Sequence, residues 1–252
     1  MERPTEELLR EWAKTYNTKK FIEDDPIEFP HRYTDRLDIE VSAFISSWIA
    51  FGMRSQIRKK AGLLHSVMTD GPYAWIMSDD EHKLKAIEQL RATAATTKNT
   101  NVCYRFFTYD DYLMLCGRLK SIYSKYKSLE DALPEAEGAN AINKLQYLFR
   151  GIAGIPKLNG DSACKRLAMF LRWMVRADGI VDFGLWRTHV TPKDLIIPLD
   201  VHVYNSSREL GLITHTSVTM NAAIKITEAL RKIFPDDPCA GDFALFGYGV
   251  NK

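Results

Sequence analysis

The sequence predicts an all-α protein, on three observations. Apolar residues recur at spacings of three and four along most of the chain, the period of a helix with one buried face. Continuous alternation of β-branched residues, the mark of half-buried strands, is rare. Glycine and proline punctuate the periodic stretches, as at Gly71-Pro72 and Pro235-Asp236-Asp237-Pro238. At 252 residues the chain suffices for one large domain or for two small lobes sharing a core.

Taken in order, Glu6 to Tyr16 reads as a short amphipathic helix after Pro4. Asp24 to Asp35 holds Pro26, Pro30 and several aromatics and reads as irregular. From Asp38 to about Met68 runs a long helical pattern with Val41, Phe44, Ile45, Trp48 and Ile49 as its apolar stripe, and Gly52 marks a turn within it. Asp79 to Thr93 is predicted helical with Leu84, Ile87 and Leu90 inward, and Thr93 to Asn101 is a polar loop. Tyr109 to Tyr126 and Gly138 to Arg150 are helices, with a single turn at Leu129 to Leu133 between them. Gly151 to Gly160 is a loop. Ser162 to Arg176 is a helix burying Ala163, Leu167, Phe170, Leu171 and Met174. A long connection from Asp178 to Pro198 follows. Asp200 to Leu210 is a helix ended by Gly211 in the position that tolerates positive φ. Thr219 to Phe234 and Asp242 to about Tyr248 complete the pattern. We divide the chain into a first lobe over about 38–150 and a catalytic part over about 151–252.

The composition is that of an ordinary soluble globular protein, with 46% hydrophobic and 26% charged residues and a net charge of +2. A basic surface must therefore be local. No apolar run reaches the roughly 18 residues of a membrane span. The acidic, polar start Met1-Glu2-Arg3-Pro4-Thr5-Glu6-Glu7 is unlike a signal or transit peptide, so a cytoplasmic location is the expectation. Cys103, Cys116, Cys164 and Cys239 are separated by 13, 48 and 75 residues, which makes no metal-binding cluster. Reduced, buried thiols are expected. His31, His65, His82, His189 and His215 are scattered without metal-ligand spacing.

Two stretches carry chemistry. In Leu158-Asn159-Gly160-Asp161-Ser162-Ala163-Cys164-Lys165-Arg166-Leu167 a lysine opens a helix, and in Ile197-Pro198-Leu199-Asp200-Val201-His202-Val203 an aspartate opens another. An amine can attack a sugar carbon while a carboxylate manages charge and protons. Lys165, Met169, Arg172 and Arg176 share one helical face, flanked by Arg166. Neighbouring arginines and partial burial would both lower a lysine pKa and so favour the free amine. The bland alternative is a solvated basic face. Asp200 also reads as a helix N-cap, a role compatible with catalysis because capping N–H groups keep the carboxylate ionised.

These residues resemble the helix-hairpin-helix DNA glycosylase superfamily. Its second motif, V-D-x-H-V-x-R-x-x-x-R-L-G-L, is matched by Asp200, His202, Val203, Leu210, Gly211 and Leu212, with Arg208 one place before the motif's second arginine, while Tyr204-Asn205 departs from it. Its hairpin, L-P-G-V-G-x-K-T-A, is met by a single glycine, Gly160, with the lysine one place further along. The gap of 35 residues from Lys165 to Asp200 is similar to that of archaeal 8-oxoguanine DNA glycosylases, and the missing four-cysteine cluster separates the chain from the iron–sulfur branch. The string from Lys165 to Arg176 resembles an uncharacterised bacterial family related to this superfamily. The resemblance covers roughly Asp38 to Met68 and Ile152 to Gly249.

The resemblance implies a bilobal helical fold with a helix-hairpin-helix motif and a cleft. Double-stranded DNA containing a damaged base, an oxidised purine such as 8-oxoguanine, would be its partner, met by a monomer acting in the cytoplasm at the nucleoid. Lys165 would attack C1′ of the flipped nucleotide and form a Schiff base, and Asp200 would stabilise charge. No metal or organic cofactor is implied. Gly160, Ser162, Arg166, Arg172, Arg54, Gln56, Arg58 and His202 are the DNA-contact candidates. Phe51, Trp173, Phe246 and Tyr248 are those for the base pocket, with Phe51 or Met53 as an apolar wedge. Against each stands a bland reading: aromatics at helical spacing are more often core, and Arg54, Arg58, Lys59 and Lys60 also suit a solvated helix exit. A helix-hairpin-helix DNA binder without catalysis, and a helical interaction protein with no nucleic-acid role, are the rivals.

Overall fold

The computed structural model describes residues 3–93, 101–214 and 216–250. The polar loop expected at Thr93 to Asn101 falls largely, and His215 entirely, outside them. The chain is mostly helical: α1 Arg3–Tyr16, α2 Lys19–Glu23, α3 Arg36–Ile49, α4 Arg54–His65, α5 Pro72–Met77, α6 Asp80–Thr93, the strands β1 Val102–Tyr104 and β2 Phe107–Thr108, then α7 Tyr109–Tyr123, α8 Leu129–Ala132, α9 Ala141–Leu148, α10 Lys165–Val175, α11 Val201–Glu209, α12 Met220–Arg231 and α13 Ala240–Val250. Among the described residues no helix is long and apolar enough to cross a membrane.

The chain divides into two compact units. One is built from Met1–Glu23, Glu137–Tyr147 and Pro156–Lys252, the other from Asp24–Ala136 and Leu148–Ile155. The N-terminal helix and most of α9 therefore group with the C-terminal segment.

In the unit holding Asp24–Ala136, α3 is the central element. Val41, Phe44, Ile45, Trp48 and Ile49, the stripe read from the sequence, are all buried. Phe44 stacks on Phe149 at 4.1 Å, and the Trp48 indole N–H donates to the Ala153 carbonyl at 2.8 Å. The turn expected at Gly52 is present, with φ 108, between α3 and α4. The break at Gly71-Pro72 starts a helix instead of merely interrupting one. Proline suits a first helical position, and the Asp38 carboxylate accepts from the Tyr73 N–H at 2.8 Å.

In α6 Ile87 and Leu90 are buried as expected, but the third inward residue differs. Leu84 is 48% exposed, and Lys83 is buried beside it. The Lys83 ammonium donates to the Ser78 carbonyl just past α5, and Lys120 donates to the same oxygen at 2.7 Å. Two cations on one carbonyl at a helix C-terminus account for a lysine on the inner side. The hairpin of β1 and β2 was not expected: it pairs antiparallel, Tyr104 opposite Phe107, around Arg105 at φ 55.

His65 is buried in this unit. Its Nδ1 lies 2.8 Å from the Ala61 carbonyl and its Nε2 2.8 Å from the Ser42 hydroxyl. A carbonyl only accepts, so Nδ1 carries the proton and Nε2 accepts. Burial pushes the imidazole from 6.5 down to about 4, with the Ala61 bond opposing and the Arg32 charge assisting. A depressed histidine pKa contributes stability that is present above 6.5 and lost as pH falls toward 4. The span corresponds to about 3 kcal/mol. Urea unfolding followed from pH 7 to pH 4.5 should show this loss, and His65→Gln should flatten the slope. An unchanged slope in the variant would remove His65 from the account.

In the other unit α13 packs against α1 and α11. Gly247 allows the approach, since a Cβ there would meet the Tyr16 ring at 1.9 Å. Leu9, Ile197, Leu199, Val203, Ala222, Ile226, Leu230 and Leu245 form the core between these helices. The long connection from Asp178 to Pro198 is laid along the end of α10. Phe183 N–H donates to the Trp173 carbonyl at 2.8 Å and Trp186 N–H to that of Met174 at 2.9 Å, satisfying carbonyls that the helix end leaves open.

Candidate functional site

Lys165 and Asp200 converge. The lysine is the first residue of α10 and the aspartate is the N-cap of α11. The Lys165 Nζ lies 3.1 Å from the Asp200 Oδ2, with the two side chains 37% and 26% exposed. Asp200 Oδ1 accepts from the Val203 N–H at 2.9 Å, so each carboxylate oxygen has its own partner. Burial raises the Asp200 pKa, but the Lys165 ammonium and the Val203 N–H outweigh it, and the carboxyl sits below the ordinary 3.8. The pair therefore combines a reachable amine with an anion fixed by a helix end.

The loop before α10 is pinned from two sides. The Gln146 amide donates to the carbonyls of Pro156 and Lys157, each at 3.0 Å, and Met220 N–H donates to that of Asp161 at 3.0 Å. Gly160 N–H closes a turn on the Lys157 carbonyl, with Asn159 at φ 63. Cys164, at φ 48, is the residue before α10, and its N–H donates to the Ser162 hydroxyl at 3.2 Å. Gln146, Asn159 and Cys164 thus position the lysine. Sequence reasoning did not single them out for that role, although asparagine at a turn is among the few residues that adopt positive φ readily. Gly160 and Ser162 are exposed at this turn. Arg166 is half-buried, and burial pulls its guanidinium down to about 10. His202 is exposed one residue into α11, close enough for its charge to act on Asp200.

The basic face of α10 is corrected. Arg172 and Arg176 are 4% exposed and point inward. Arg172 pairs with Asp182 and Asp242, and Arg176 with Asp178, Asp182 and Asp237. Phe243 lies under both guanidinium groups, at 4.6 and 5.4 Å. The spacing was right, but acids from the following connection, from the turn before α13 and from α13 itself neutralise that face, so Arg172 is not placed to meet a phosphate. Burial raises the Asp242 pKa against the pull of Arg172, and the charges of Lys165 and Asp200 both act on this carboxyl. The buried network and the candidate pair are thus electrostatic neighbours.

The aromatic candidates in this unit are also accounted for by packing. Trp173 is fully buried in α10, which corrects its assignment to an open base pocket, and Trp186 packs edge-on against Phe170. Phe246 meets Phe21 edge-on at 5.5 Å and Tyr248 stacks on Trp12 at 5.0 Å, both half-buried. In the other unit Phe51 is 47% exposed, Gln56 is exposed, and Arg54 lies 3.6 Å from Asp25. Arg58 is held by Glu28 through two hydrogen bonds, at 2.9 and 2.8 Å, and reaches Asp24. Its fork is thus occupied by carboxylates rather than presented to a phosphate. The four cysteines are buried and free, as expected.

A family model described as a protein of unknown function, DUF2400, matches residues 25–251. No curated protein and no solved structure matches the chain.

Proposed function

Because the chain belongs to the DUF2400 family, whose description leaves the activity open, we propose a function from the chemistry of the site: a DNA base-excision glycosylase with lyase activity. The observation that carries it is the 3.1 Å approach of Lys165 to Asp200 at two helix starts, with both groups partly exposed. In this reading the unit pair forms the bilobal fold of the helix-hairpin-helix glycosylases, and the turn at Leu158 to Ser162 is the hairpin. Duplex DNA delivers a flipped, damaged purine nucleotide to Lys165.

The amine, once its proton has passed to water, forms a bond to C1′. The glycosidic bond breaks, and the base leaves with the electron pair and takes up a proton. Opening of the C1′–O4′ bond gives a protonated imine. Loss of a C2′ proton then expels the 3′ phosphate and nicks the strand. Asp200 offsets the positive charge developing at C1′.

Supporting the reading are the match of Asp200, His202, Leu210 and Gly211 to the glycosylase motif and the order lysine, then aspartate. A panel of lesion-bearing duplexes run with and without borohydride tests it. A covalent protein–DNA band on at least one oxidised-purine duplex is expected, and its absence on every lesion sinks the proposal.

Asp200→Asn separates the cap from the chemistry. Asparagine caps a helix about as well as aspartate, so at neutral pH stability should change by less than about 1 kcal/mol. Turnover should fall by about 100-fold or more. Because the Asp200 pKa is depressed on folding, its contribution is present above 3.8 and lost as pH falls through the folded value, and the variant should lack that acid loss. Full turnover by the variant would confine Asp200 to capping.

A second reading, DNA binding without catalysis, is favoured by one observation. The lysine is already engaged by Asp200, which leaves its ammonium paired instead of free to attack. It predicts salt-dependent DNA binding with no base release.

A further inference from the structure

The hairpin of β1 and β2 and the turn between α3 and α4 meet within one unit. The Tyr104 hydroxyl donates to the Phe51 carbonyl at 2.8 Å. Beneath them the base is packed: Phe107 is buried and its ring lies 4.3 Å from that of Trp48. Above it the tip is bare. Phe51 is 47%, Met53 62% and Phe106 56% exposed. Phe51 and Phe106 stand edge to face at 5.6 Å.

Arg105 lies across this tip, 5.4 Å over the Phe51 ring, and its Nε donates to the Tyr104 hydroxyl at 3.3 Å. It passes where a side chain at Gly52 would stand, since a Cβ there would be 2.6 Å from the guanidinium. Among the described residues Arg105 has no carboxylate partner.

The two chain stretches that build the tip carry no acids. No acidic residue occurs between Glu40 and Asp70, a stretch carrying Arg54, Arg58, Lys59 and Lys60. None occurs between Glu88 and Asp110, the stretch that carries Arg91 and Arg105. Lys60 and, with opposite sign, Asp111 lie close enough to Cys103 in β1 for their charges to act on that thiol. Acids from outside these stretches pair with Arg54, Arg58 and Arg91, whereas Arg105 at the tip has no carboxylate partner among the described residues.

Exposed rings on a packed base, set in acid-free stretches with an available guanidinium, suit a nucleic-acid strand better than an apolar protein surface. Bases stack on aromatic faces whatever their sequence, and cations beside them take the phosphates. We infer that Phe106 and Phe51 form a stacking platform for an unstacked base of a DNA strand, with Arg105 on the adjoining phosphate. The inference rests on the proposed DNA reading and extends it from Phe51, already a wedge candidate, to Arg105 and Phe106, which the glycosylase resemblance does not reach; it requires no Lys165 chemistry.

The test uses the full chain and two twelve-nucleotide probes: a thymidine strand, and a strand of the same length built only of tetrahydrofuran abasic units. The phosphates are alike and the bases differ. The thymidine strand should bind about tenfold tighter. Phe106→Ala should bring the two affinities together, and Phe106→Trp should restore the gap and show quenched indole fluorescence on binding. Arg105→Gln should weaken both probes and reduce the salt slope by about one.

An unchanged gap in Phe106→Ala overturns the platform. So does sedimentation showing that the tip mediates self-association abolished by Phe106→Ala while the gap persists. Equal binding of both probes by the wild type also overturns it, as does no binding at all. Borohydride trapping with an unchanged gap leaves the glycosylase reading standing and removes this one. A Phe106-dependent gap with no trapping on any lesion does the reverse.

Discussion

Lys165→Gln should abolish the borohydride-trapped complex entirely. Borohydride delivers hydride to the carbon–nitrogen double bond and turns the imine into a secondary amine that survives denaturation, so a band requires an amine in covalent contact with C1′. Glutamine keeps polarity and much of the reach but cannot form that bond. Base release should fall by at least about 100-fold with it, because attack and bond cleavage share one transition state. The fold should tolerate the change. Lys165 and Asp200 are both partly in solvent, and such pairs are worth at most about 1 kcal/mol. The Val203 N–H continues to hold Asp200 in place. An unchanged melting temperature with no band would identify the nucleophile. A band of wild-type intensity would show that another amine forms the adduct.

Much of the helical scaffold was legible because its signals are local. The α3 stripe is a 3.6-residue repeat, and Asp200 two residues after Pro198 is an N-cap by residue type alone. Gly211 does end α11 at φ 69. Other features depend on contacts that no window contains. The two strands are three and two residues long, too short to display an alternation. Lys83 is inward because the Ser78 carbonyl awaits it, and periodicity ranks Leu84 above it on hydropathy alone. The charged face of α10 had the right spacing and the wrong environment. Its neutralising acids lie up to 70 residues away, at Asp242. A charge written in the sequence does not say whether water or a carboxylate will meet it. The convergence of Lys165 with Asp200 is of the same kind: each helix start was readable alone, and their proximity was expected only through a resemblance.

That buried network supports the second large effect: Arg176→Met should cost about 3–5 kcal/mol in urea unfolding. Arg176 serves Asp178, Asp182 and Asp237, and Asp182 is left with Arg172 alone when it is removed. Methionine fills much of the volume, so lost charge compensation rather than a cavity dominates. The pH dependence identifies the cause. Burial pushes the Asp182 carboxyl up to about 6 even with both arginines present, and removing one pushes it further. A carboxyl whose pKa rises on folding favours the folded state most below its ordinary 3.8, and that contribution is lost as pH rises through the folded value. The gap between wild type and variant should therefore widen from pH 5 to pH 8. Adding Asp182→Asn to Arg176→Met should close part of the gap at pH 8, where the unpaired charge hurts most, and little of it at pH 5. A cost that is the same at both pH values, or a double variant no more stable than the single one at pH 8, would place the damage in packing. The inward face of α10 would then owe its order to Phe243 and its apolar neighbours, with the charges as passengers.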